Sequence, residues 1–221
     1  MWTLEGFALM KSQDILLLFK MVSLHAQEEN LSWQMIPANP DDPADEPGNW
    51  EGWSDPAAST PLSSWSDSYS LRALSAALGL SKSEISNAMA RCRGSGLLTY
   101  DYDTGLPKVN RRELLKIAEH ALKYFFPVKP GPMVRGIPTG FAAPALSKSI
   151  KSSGNLILVW PDAVGSERGQ AVEPLYKTVP HAVKHDRVLY HYLALVDAIR
   201  LGGPRESGVA LNILKTGMGL G

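Results

Sequence analysis

The sequence predicts a mainly α-helical fold carrying one small β-hairpin, and three observations within residues 70 to 110 point there. Leu71, Leu74 and Leu78 recur at helical spacing until Gly79-Leu80 breaks the pattern. Ser81 and Glu84 form an S-x-x-E capping box that opens a second helix, in which Ile85, Met89 and Cys92 fall on one face. Residues 97 to 109 then alternate as LLTYDY, turn at Asp103-Thr104-Gly105, and return through Pro107, which suits an edge strand.

The outer face of the second helix carries Lys82, Ser83, Ser86, Asn87 and Arg91. A small polar face on the second of two helices joined by a Gly-containing turn is what a DNA major groove accepts. Together with the hairpin, this predicts a winged helix-turn-helix followed by a C-terminal helical region. The run Ala73-x-x-x-Ala77-Leu78-Gly79-Leu80-Ser81-x-Ser83-x-Ile85-Ser86, with Gly96-Leu97-Leu98 after it, resembles the DNA-binding domain of bacterial winged-helix regulators of the MarR and ArsR types. The resemblance covers roughly a fifth of the chain. It implies that the second helix enters the major groove and that Ser83, Ser86, Asn87 and Ala90 face the bases. It also implies that Cys92 stands where these regulators usually place a core Leu, so fuller packing is expected of them than of this chain.

The remaining elements follow in order. Residues 11 to 25 read as a helix with Ser12 as cap, Asp14 in the first turn, and a stripe of Ile15, Leu18, Phe19 and Val22. Leu16, Leu17 and Met21 widen that stripe, so the helix is expected behind the reading pair. Residues 28 to 67 form an acidic insert rich in Pro and Trp, with Trp33, Trp50, Trp53 and Trp65 among prolines that include Pro40, Pro43, Pro47, Pro56 and Pro61. Two readings of it stand: a surface loop whose indoles tuck onto the domain, or an arm that binds a partner protein or competes with DNA. Asn110 is expected to cap one helix over residues 111 to 126, ended by Pro127. Residues 127 to 154, with Lys129, Arg135, Lys148 and Lys151 and no acid, read as a basic linker or arm. Residues 155 to 221 read as a strand near 156 to 160 and helices near 179 to 185, 187 to 200 and 206 to 215. That region is assigned to oligomerisation or partner binding, and residues 1 to 126 to the winged helix.

Charge and composition narrow the function. Lys plus Arg and Asp plus Glu are both 22, so the chain is formally neutral, unlike most DNA-binding proteins. The distribution is uneven: residues 70 to 124 hold nine Lys/Arg against five acids, while no Lys or Arg lies between Lys20 and Arg72, where nine acids do. One cysteine excludes an intrachain disulfide framework and suits a reducing cytoplasm. No apolar run approaches the roughly 20 residues that span a membrane, and the N-terminal residues do not read as a signal peptide.

Chemistry is sparse. His181, His185 and His191, with Asp186 and Asp197 near in sequence, lack metal-ligand spacing and read as ordinary histidines. No phosphate-loop, dinucleotide or nucleophile-elbow motif is present, and Cys92 points inward from Ile85. The sequence therefore predicts no catalytic residue, no metal and no cofactor. It predicts a regulator, a repressor most simply, that binds double-stranded DNA as a homodimer. Ser83, Ser86 and Asn87 read bases, and Arg72, Lys82, Arg91 and Lys108 are the candidate phosphate contacts. The alternatives are an antitoxin or repressor of a defence gene pair, and a winged-helix protein-interaction module. Their protein partner would bind the insert or the C-terminal helices.

Overall fold

In a computed structural model, residues 10–29, 65–143, 146 and 157–221 are described. The first helix, α1 (Ser12–Glu28), is buried without a break from Gln13 to Leu24, its wide apolar surface placing it at the centre and its few polar side chains being paired there. Ile15, Leu16, Leu17, Leu18 and Phe19 are each fully buried. Its start differs from the expectation in one respect. Ser12 is already helical, and the first-turn Asp14 carboxylate accepts the Lys11 N–H at 2.8 Å in place of a serine cap. The acidic insert falls almost wholly outside the described residues. Only its ends are described, at Glu28 and Glu29 and at the short helix α2 (Trp65–Ser68).

Residues 71–94 fold as their local signals require. Ser70 Oγ accepts the Ala73 N–H to begin α3 (Leu71–Leu78), and Gly79 ends it in the left-handed conformation at φ +62°, where a side chain is disfavoured. The reciprocal box at α4 (Lys82–Gly94) is complete: Ser81 Oγ accepts the Glu84 N–H at 3.2 Å, and Glu84 Oε2 accepts the Ser81 N–H at 2.9 Å. The hairpin pairs β1 (Leu98–Tyr100) with β2 (Pro107–Val109) antiparallel, placing Leu98 against Val109, both buried.

Asn110 caps α5 (Arg111–His120) through the Glu113 N–H, as expected. The single helix expected to residue 126 is instead broken at Ala121, where φ is −118°, and resumes as α6 (Leu122–Phe125). Leu114, Ala118 and Leu122 supply the buried stripe, whereas Phe125, expected on it, is 70% exposed beyond the break. The redirected end is fixed by its carbonyl partners: Arg200 Nε donates to Phe126 O, and Lys123 Nζ donates to Gly202 O, both at 2.8 Å.

The segment expected as a linker holds a strand. β3 (Met133–Pro138) pairs antiparallel with both β4 (Leu158–Pro161) and β5 (Glu167–Ala171), and β4 runs parallel to β5, so the three strands close on themselves. Gly136 is where the two pairings meet, and a Cβ there would lie 2.0 Å from Trp160 O, so only glycine fits. Three helices complete the chain: α7 (Val179–Val183), α8 (Arg187–Leu201) and α9 (Pro204–Gly217).

Helix α8 is enclosed more fully than its apolar stripe alone predicts. Every residue from Val188 to Arg200 is buried, not only the stripe of Leu189, Leu193, Val196 and Ile199. Helix α1 packs between α8 and α4, and one continuous apolar cluster runs from Ile15 through Cys92 and Leu114 to Met218. The C-terminal helices are therefore part of the same core as the helix pair. A polar network ties the small sheet to α8. The buried Asp197 carboxylate accepts from Thr139 Oγ1 at 2.9 Å, Trp160 Nε1 at 2.6 Å and Arg200 Nη1 at 2.6 Å. A second buried pair, Lys20 Nζ to Asp186 Oδ2 at 2.7 Å, fastens α1 to the N-terminus of α8.

Candidate nucleic-acid interface

Helix α4 has two sharply different faces. Ile85, Ala88 and Cys92 are fully buried, with Met89 half-buried beside them, while Lys82, Ser83, Ser86, Asn87 and Ala90 are exposed. The 3.6-residue repeat produces this division directly. Cys92 is fully buried in its core position. Burial pushes its thiol up to about 12, with Asp14 adding to the effect and Arg91 opposing it, which leaves an inert core thiol.

Arg91 does not join the exposed set. Its Nε donates to Asp14 Oδ2 at 2.8 Å and its Nη2 to Asp14 Oδ1 at 2.5 Å, a two-pronged pair that leaves the carboxylate fully buried. The expected phosphate contact is thus a clamp that fixes the rotation of α4 against α1. Sequence reasoning had no access to this, because the partners are 77 residues apart.

Arg93 takes the outward position instead. It stands at i+7 from Ser86, on the same exposed face, and its guanidinium lies 5.8 Å from the centroid of the Tyr100 ring on β1. That spacing was the available signal for it. Arg93, Tyr100, Ser86 and the 40%-exposed Leu71 line an open groove of about 370 Å³ between the helix pair and the hairpin, with Ser66 and Tyr69 from the α2 end.

The expected phosphate contacts Arg72, Lys82 and Lys108 are not among the residues that line this groove. Arg72 is exposed on the first turn of α3. Lys82 is exposed at the start of α4, and Lys11 and Lys177 also act on Glu84 there, whose carboxyl the Ser81 hydrogen bonds hold below its ordinary range. Lys108 is exposed on the hairpin but lies 3.6 Å from Asp101. Asp101 in turn accepts the N–H groups of Asp103 and Thr104 and the Thr104 hydroxyl, which hold its pKa low and build the hairpin turn. The hairpin tip therefore keeps its negative charge.

The histidines do not assemble. His181 Nε2 sits 3.2 Å from Ala76 O beneath the α3–α4 turn, with the His185 ring 5.8 Å away, while His191 is buried on α8. Among the described residues no group of three or more His, Cys, Asp or Glu side chains is placed to hold a metal ion. Nor, among them, is any helix long and apolar enough to cross a membrane. No family model matches the chain, and no curated protein or solved structure does.

Proposed function

We propose that this chain binds double-stranded DNA as a winged-helix transcriptional regulator of the MarR and ArsR style, with α4 laid in the major groove. One observation carries the reading. The outer strip of α4 (Ser83, Ser86, Asn87, Ala90 and Arg93) is small, polar and exposed, on a helix whose opposite face is locked by core packing and the Asp14 clamp. Asn87 offers the amide geometry that pairs with adenine, and the serines tolerate either base. Arg72, Lys82, Arg93 and Lys108 serve the phosphates, and Arg91 is withdrawn from that role. Contacts this small discriminate weakly, so a homodimer on a two-fold operator supplies the specificity, and repression follows from occupying a promoter. Because α8 is enclosed, its faces do not form the dimer contact.

A second reading has its own support. The hairpin tip is acidic and the chain is formally neutral, which suits a module that binds protein, including the toxin of a defence pair. Titration against a labelled fragment from upstream of the gene, at several salt concentrations and with competitor DNA, separates the two. The DNA reading requires saturable binding whose affinity falls steeply with salt and survives competitor. Absent or salt-insensitive binding removes it and leaves the protein-binding module.

A further inference from the structure

On the small sheet, far in sequence from the helix pair, β3 and β5 place Arg135 directly opposite Arg168. Residues opposite one another on an antiparallel pair point to the same face, and like charges so placed destabilise the sheet. Both are exposed, and neither guanidinium has an ion-pair partner among the described residues. Together with Ser166, Glu167, Met133 and Val134 they line a concavity of about 380 Å³, within the size range of small-molecule sites.

The backbone beneath is built for close approach. Arg135 precedes Gly136, Ser166 follows Gly165, and Arg168 precedes Gly169. A Cβ at these glycines would come within 2.0, 2.2 and 2.2 Å of Trp160 O, a Gly136 backbone atom and Ile157 O respectively. Each of the three polar residues is therefore held by a crossing of two chains that no side chain can loosen. The two guanidiniums and the serine hydroxyl are donors matched to a phosphoryl group, whose charge relieves the repulsion between the arginines. Glu167 adds a single acceptor, which a polyanion would avoid and a hydroxyl or amine would use. Met133, 48% exposed, adds a polarisable thioether for a flat ring.

We propose that Arg135, Ser166 and Arg168 hold the phosphate of a phosphate monoester, with Glu167 and Met133 receiving its donor-bearing, ring-bearing portion; a mononucleotide is the ligand class that combines these features. The site is independent of the DNA reading. Calorimetric titration of the full-length chain with adenosine monophosphate, inorganic phosphate and adenosine tests it. Saturable binding of the nucleotide is expected, with phosphate weaker and adenosine weaker still. Arg135→Ala and Arg168→Ala should each weaken nucleotide binding about tenfold or more, the loss of one charged hydrogen-bonding partner. Both changes are on exposed side chains, so an unaltered melting temperature should accompany them. Absence of saturable nucleotide binding at millimolar concentration overturns the proposal, as does binding that the double variant retains. If mononucleotides fail to bind but the double variant lowers the salt dependence of duplex DNA binding, the arginines serve a phosphodiester backbone, and the mononucleotide site is likewise rejected.

Discussion

The helix pair and the small sheet are both fastened to the central helices by a buried carboxylate, yet they are specified in opposite ways. Around α4 a single pair, Asp14 with Arg91, joins elements whose own sequences already dictate their form. In the sheet the strands are short, β3 and β5 each carry a glycine, and Asp197, paired with Arg200 on its own helix, gathers Thr139 and Trp160 from two other segments. The first region is locally determined and then docked. The second exists only through its long-range contacts. One consequence is that the same kind of substitution should act very differently in the two places.

The largest expected difference is between two glycines. Gly136→Ala drives a Cβ into Trp160 O and should destabilise by about 4 kcal/mol or more, seen as a collapse of the urea midpoint. A Gly136→Ala protein of ordinary stability would mean that the strand crossing is looser than described. Arg91→Ala comes next. Leaving the Asp14 carboxylate buried without its partner should cost about 3–5 kcal/mol, whereas a mere surface contact would cost almost nothing.

Asn87→Ala should leave the melting temperature unchanged and reduce discrimination between operator and non-operator DNA by about 1–3 kcal/mol in competition binding. Unaltered specificity removes Asn87 from the reading face. Gly94→Ala, where nothing lies within 4 Å of an added Cβ, should be neutral or stabilise by up to about 1 kcal/mol in thermal melts, against the ruin expected at Gly136. A marked loss at Gly94 would break the contrast between the two regions.

The smallest effect is one of pH. Burial, with Arg111 adding to it, holds His25 below its ordinary value of 6.5, against the pull of Glu29 and Glu28. The unfolded chain therefore binds more protons as pH falls through 6.5, and stability declines across that value toward the lower folded pKa. Melting temperatures measured on both sides of this window should show the decline in the parent chain and less of it in His25→Gln.

The same contrast explains what was legible in the sequence. The capping box at Ser81, the break at Gly79, the cap at Asn110 and the alternation of residues 97 to 109 are short-range signals, and each marks what is found. Periodicity marks helices α8 and α9, but not the complete enclosure of α8 or the seating of Ala210 and Leu214 of α9 in the same core. Whether an apolar stripe meets a partner subunit or the chain's own α1 depends on segments far away. Residues 127 to 154 read as a linker because of their prolines. The strand at 133–138 shows no clean two-residue alternation, and its pairing depends on residues more than 20 positions on. Arg91 reads as a phosphate contact because nothing near it in sequence announces Asp14. Arg93 lies on the exposed face of α4, and its neighbour Tyr100 comes within reach only after the hairpin folds back.

Helix α1 carries a consequence for how the molecule is made. It is the first described helix to leave the ribosome, and its flanks are covered by α4 and by α8, which begins at residue 187. Until α8 has been synthesised, one side of this deeply buried helix has no intramolecular cover, and Lys20 has no Asp186 to meet. Nascent chains therefore carry a sticky surface through most of translation, an exposure of the kind that recruits holding chaperones and favours aggregation when synthesis stalls. Folding of the helix pair around α1 is thus timed by the arrival of α8.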